Sequence, residues 1–146
     1  MKKPIKECDF KILEKEFRIL SSLDHPNIIK AQQFKKDRCF CKNGKKETID
    51  YSLLEYAPEG DVFFYISRSK GLSDDANKAI IKCIINGKLQ TKLAVQYCHS
   101  KGIIHNDLKA ENILMSNKFI PKLCDFGNSV EINSEEEKFT KCKSLK

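Results

Sequence analysis

Asp107, Lys109 and Asn112 fall within one six-residue stretch, and Asp125-Phe126-Gly127 begins thirteen residues after Asn112. Two carboxylates, a carboxamide and an ammonium group at such spacing are residue types suited to phosphoryl transfer. A transferring phosphoryl group carries concentrated negative charge, so a catalyst must hold metal ions against the phosphates and orient the attacking hydroxyl. Magnesium favours hard oxygen ligands, and a carboxylate can accept a hydroxyl proton. Taken singly, each segment has an ordinary explanation: an Asp before an apolar residue is a turn or helix cap, and Asp-Phe-Gly is a common turn. Taken together, and with His105 two residues before Asp107, they are specific, because chance agreement of seven specified residues is on the order of one in a billion per register.

The run His105-Asn106-Asp107-Leu108-Lys109-Ala110-Glu111-Asn112, with Asp125-Phe126-Gly127, resembles the catalytic loop and metal-binding triplet of protein kinases. The resemblance implies ATP as nucleotide and Mg2+ as cofactor. It implies that Asp107 accepts the incoming hydroxyl's proton, Lys109 neutralises the transferring phosphate, and Asn112 and Asp125 hold the metal. Leu114 is placed against the nucleotide on the same basis. Lys109, two residues after Asp107, resembles the serine/threonine class, whose substrates are protein hydroxyls. A noncatalytic module or decaying kinase fragment, keeping the motifs without an assembled site, is the alternative.

Several elements must position these groups. Phe10, Leu13, Phe17 and Leu20 recur at three- and four-residue steps, predicting an amphipathic helix after an Asp9 cap that ends before Asp24-His25-Pro26. This resembles the small-lobe helix of the family, with Glu16 where the phosphate-binding lysine's partner stands; a helical glutamate is otherwise a solvated charge. Asn27-Ile28-Ile29 and the alternating run Thr48 to Leu54 read as the strands of a hairpin, with Asn43-Gly44 as a tight turn. Leu54-Glu55-Tyr56-Ala57-Pro58-Glu59-Gly60-Asp61 resembles the hinge between two lobes. Leu54 would be the gatekeeper, backbone groups near Glu55 and Ala57 would bond an adenine ring, and Asp61 would face the ribose or a basic substrate. By composition alone, Asp61 lies in a Pro- and Gly-containing loop.

Ile81, Ile85, Leu89, Leu93 and Tyr97 are expected to line one face of a long helix. Between Gly87 and Gln96 the segment is seven residues longer than the family's usual helix. An insertion of that length keeps an apolar stripe within about twenty degrees of phase, so a longer helix is possible; a looped insertion or a coding-sequence error is the other reading, and Gly87 weakens continuity.

Lys2, fourteen residues before Glu16, is the candidate phosphate-binding lysine, with Lys3 and Lys6 as rivals. No Gly-rich loop precedes Met1 and the chain stops before an Ala-Pro-Glu, so a piece of a longer domain is expected, inactive when isolated, marginally stable and prone to associate. Asn106 stands where the family most often has arginine. An uncharged side chain cannot make the bidentate contacts with phosphate, so switching through phosphorylated Thr140 or Ser144 should be weak.

Leu, Ile, Val and Phe total 40 of 146 residues, enough for an ordered core. The expected class is α+β, a partial two-lobed kinase-like fold: residues 1–54 a small-lobe remnant, 55–61 the hinge, 62–146 the start of the large lobe. The net charge of +7 comes from dispersed lysines without interleaved stacking aromatics, which reads as a solvated basic surface and not as a nucleic-acid interface. Seven cysteines without a Cys-x-x-Cys give no zinc pattern and fit reduced thiols inside the cell. Cys124 is either an accessible thiol at the nucleotide cleft or a buried, inert one. No apolar run reaches membrane-spanning length, so a cytoplasmic protein, soluble or at most peripherally attached, is expected, and the kinase resemblance implies protein substrates.

Overall fold

The computed structural model describes residues 7–42, 45–68 and 74–132. Helix α1 (Glu7–Ser21) is followed by strands β1 (Ala31–Lys42) and β2 (Lys45–Leu54), then helices α2 (Val62–Arg68) and α3 (Asp74–Ser100). Short strands complete the order: β3 (Ile103–Ile104), β4 (Ile113–Met115), β5 (Pro121–Leu123) and β6 (Val130–Glu131), with a 3-10 turn at Ala110–Asn112 before β4. Helices beside small antiparallel sheets give the expected α+β class.

Helix α1 ends where expected, with Ser22 and Leu23 folding back on the Ile19 and Leu20 carbonyls. Its start lies earlier, so Asp9 falls inside the first turn instead of capping it. An acidic residue there still favours the helix, because the first-turn N–H groups carry partial positive charge. Leu20 and Ile19 are buried, and Phe17 stacks against Phe34 at 5.4 Å.

The hairpin exists, but its first strand is not the one expected. Ala31–Lys42 pairs antiparallel with β2, Ala31 opposite Leu54 and Lys42 opposite Lys45. This strand is mostly polar, so it lacks the apolar alternation by which a strand is read, and Asn27-Ile28-Ile29 was the stronger signal. That segment instead laces onto β5. Leu123 N donates to Asn27 O at 2.8 Å and Ile29 N donates to Leu123 O at 2.9 Å, a single parallel bridge. The expected turn at Asn43-Gly44 lies outside the described residues.

Helix α3 runs unbroken for 27 residues, so the seven-residue excess is accommodated as helix. Its buried side departs from the expected stripe: Leu89 and Leu93 are 62% and 48% exposed, whereas Gly87, Ala94 and Cys98 are buried. Small residues there let the helix lie close to β5; a Cβ on Gly87 would stand 3.8 Å from Pro121. The side chains of Ile81 and Ile85 are outside the description. The core gathers Ile19, Leu20, Leu23, Ile28, Ile29, Ala94, Cys98, Ile103, Leu123 and Phe126. Through Ile103 and Phe126 it adjoins the loop that carries Asp107, since the Phe126 ring meets His105.

Candidate functional site

The loop begins at a buried histidine. Strand β3 delivers His105, 1% exposed, whose ring stands edge-on to Phe126 with centroids 4.6 Å apart. Its Nε2–H donates to Cys124 O at 2.9 Å, and its Nδ1 accepts from the Asp107 N–H at 3.3 Å. Burial pushes the imidazole below its ordinary pKa, so the neutral ring serves both bonds at neutral pH. The histidine thereby joins the backbone ahead of Asp125 to the backbone of Asp107.

Asp107 is oriented from two directions. Its Oδ2 accepts from Lys109 Nζ at 2.6 Å and from Asn112 Nδ2 at 3.1 Å, while Asn112 Nδ2 also donates to Asp107 O at 2.8 Å. The double donation assigns the Asn112 amide: nitrogen toward Asp107, with Oδ1 left as a hard oxygen ligand. The Lys109 ammonium holds the Asp107 carboxyl below the usual carboxylate range, and Asp107 raises Lys109 in return.

Asp125 is brought to Asn112 by the β4–β5 hairpin. Ile113 pairs with Leu123, and beyond that pair Asn112 O accepts the Cys124 N–H at 2.9 Å and the Cys124 thiol at 3.3 Å. Cys124 is half-buried, with its thiol turned onto this strand. Asp125 follows at the same end, exposed and in the left-handed region at φ 63°, and its charge acts on both His105 and Lys109. Among the described residues no three His, Cys, Asp or Glu side chains form a metal cluster. A carboxylate and an amide oxygen fit magnesium, which binds through one or two carboxylates, waters and substrate phosphates in place of an all-protein cage.

Along the connection from β2, Leu54 packs on the core and the Glu55 N–H donates to Lys30 O at 2.8 Å. The Glu55 carboxylate turns toward β5, 2.7 Å from Lys122 Nζ, and accepts the Lys30 N–H at 3.2 Å. Among the described residues the Glu55 carbonyl and the Ala57 N–H bond no backbone group. Leu114 is half-buried and bridges to Asp61, whose Oδ1 accepts the Phe64 N–H at 2.7 Å and caps α2. Glu16 is half-buried, and its Oε1 accepts the Phe126 N–H at 3.1 Å. Lys2, Lys3, Lys6, Thr140 and Ser144 lie outside the described residues.

Four residues whose contacts hold the segments flanking the site escaped the sequence reading: Lys122 on Glu55, and Lys15, Arg18 and Glu131 between α1 and the segment after Asp125. Lys122 left a faint signal, a lysine between the buried Pro121 and Leu123, which alternation directs away from the core. Arg18 and Glu131 are 113 positions apart and left none.

The family model for the protein kinase domain matches residues 1–146. NUAK family SNF1-like kinase 1 of Mus musculus is 35% identical over 123 residues, covering 84% of this chain and 16% of the relative. The Homo sapiens protein of that name gives the same identity and coverage. Human NUAK family SNF1-like kinase 2 is likewise 35% identical over 123 residues, or 17% of its own length. The chain thus spans about a sixth of the length of the curated relatives it matches.

Proposed function

This chain belongs to the protein kinase domain family, and on that premise we propose that it carries the catalytic loop and metal-binding triplet of a serine/threonine protein kinase, transferring the γ-phosphate of ATP to a protein hydroxyl. The observation that carries the reading is the double restraint on Asp107, whose carboxylate is fixed by Lys109 and Asn112 together. Held ionised, Asp107 orients the substrate hydroxyl and takes its proton. Lys109 then faces the phosphate whose charge it offsets. Asn112 Oδ1 and the Asp125 carboxylate would hold Mg2+, which when bound neutralises the phosphates. The Glu55 carbonyl and Ala57 N–H receive the adenine edge between Leu54 and Leu114, with Asp61 beside the ribose, while Glu16 positions the phosphate-binding lysine, for which Lys2 is the candidate. In this reading residues 1–54, 55–61 and 62–146 are small lobe, hinge and large lobe, and the protein works in the cytoplasm.

The test is transfer of labelled γ-phosphate from magnesium ATP to serine- and threonine-containing peptides by the full-length protein that carries these residues. Asp107→Asn should lower turnover by about two to four orders of magnitude, since it removes a positioned proton acceptor. Asp125→Asn should instead weaken magnesium-dependent nucleotide binding. Magnesium-dependent binding without any transfer would favour a noncatalytic module, and no nucleotide binding at all would end the proposal.

A further inference from the structure

Helix α1 grips the segment after Asp125 through contacts that the transfer chemistry does not use. Lys15 Nζ donates to Ser129 O at 2.5 Å, and the two terminal Arg18 guanidinium nitrogens donate to Glu131 Oε1 and Oε2, at 2.9 and 2.5 Å. Between these positions, Glu16 accepts the Phe126 N–H. Strand β6, which carries Glu131, pairs with β3, and His105 follows β3 directly. The path from Arg18 to the catalytic loop is therefore one ion pair and one strand pairing long.

We propose that Arg18 and Glu131 are positioning residues whose ion pair fixes the register of α1 against residues 126–131 and so keeps the Glu16 carboxylate on the Phe126 N–H. A guanidinium–carboxylate fork makes two parallel bonds, which fix orientation as well as distance. The pair is exposed, 61% at Arg18 and 36% at Glu131, and exposed pairs contribute little to global stability. Its consequence is therefore local geometry. The effect on phosphoryl transfer rests on the kinase reading above, but the effect on the segment does not.

Amide hydrogen exchange over residues 126–131 at low ionic strength, where exposed charges are least screened, separates the two. Arg18→Glu and Glu131→Arg should each speed exchange at Phe126 by about two- to fivefold, and the double charge swap should recover most of the protection. Glu14→Gln, which removes the α1 ion pair with Lys36, should change nothing there. Unaltered exchange in the single variants, no recovery in the swap, or equal acceleration by Glu14→Gln would overturn the proposal. In turnover assays the single variants should raise KM for ATP by a similar factor, restored by the swap. A wild-type protein without transferase activity counts against the kinase reading alone, because the exchange result still decides the role of the pair.

Discussion

Asn106, Phe119 and Asp125 hold left-handed backbone conformations, at φ 63°, 54° and 63°, without being glycine. Asn106 and Asp125 begin the two segments that meet around His105, so the chain turns sharply at both ends of the candidate site. Short polar side chains tolerate this conformation because they can bond locally. The Asn106 Nδ2 itself reaches across to the segment after Asp125, donating to Asn128 O at 3.4 Å. Where the kinase resemblance marks arginine as usual, asparagine is thus the residue the backbone suits. Asn106→Ala should lower unfolding free energy by about 1 kcal/mol while Asn106→Gly costs less, measured by urea midpoints. Equal losses in the two variants would show that the backbone conformation is not the reason.

At the scale of elements, the β4–β5 hairpin fixes Asn112 beside Cys124 and hence Asp125, while α3 presses against its outer strand. Asn27 ties the same region together, its buried amide donating to Pro121 O at 3.0 Å and to Gln90 of α3 at 3.1 Å. Gly87 lies in the middle of α3 at ordinary contact distance from Pro121, so a methyl group there meets no clash. Gly87→Ala should therefore raise stability by about 0.5–1 kcal/mol, because alanine loses less backbone freedom in a helix interior. A drop in the thermal midpoint would mean that α3 must approach β5 more closely than this.

Over the whole molecule, the described residues leave apolar side chains of α2 and of the second half of α3 exposed. Leu89 and Leu93, one turn apart, are joined as exposed apolar side chains by Phe63, Phe64 and Ile66. Apolar area of this kind drives association when two copies can bury it. The 146-residue chain should self-associate in sedimentation experiments, and Leu89→Lys with Leu93→Lys should reduce association with unfolding free energy changed by less than about 0.5 kcal/mol. Monomeric wild-type chain at high concentration would contradict this. Among the described residues no helix is long and apolar enough to cross a membrane.

Motif spacing pointed to Asp107, Lys109, Asn112 and Asp125 as candidates, because phosphoryl-transfer chemistry requires particular residue types and local loops set their separations. It also gave α1, the long helix and the α+β class, since three- and four-residue periodicity is a local property. The hairpin's polar first strand and the buried side of α3 were not legible. Ala31–Lys42 is a strand because β2 lies beside it, and α3 turns Gly87 inward because Pro121 at the start of β5 lies within contact distance of it. Arg18–Glu131 and Glu55–Lys122 likewise follow from chain segments meeting across 113 and 67 positions. Residue type and spacing determined which groups could act; only tertiary packing decided which partners hold them, because those contacts join residues whose separation carries no local pattern.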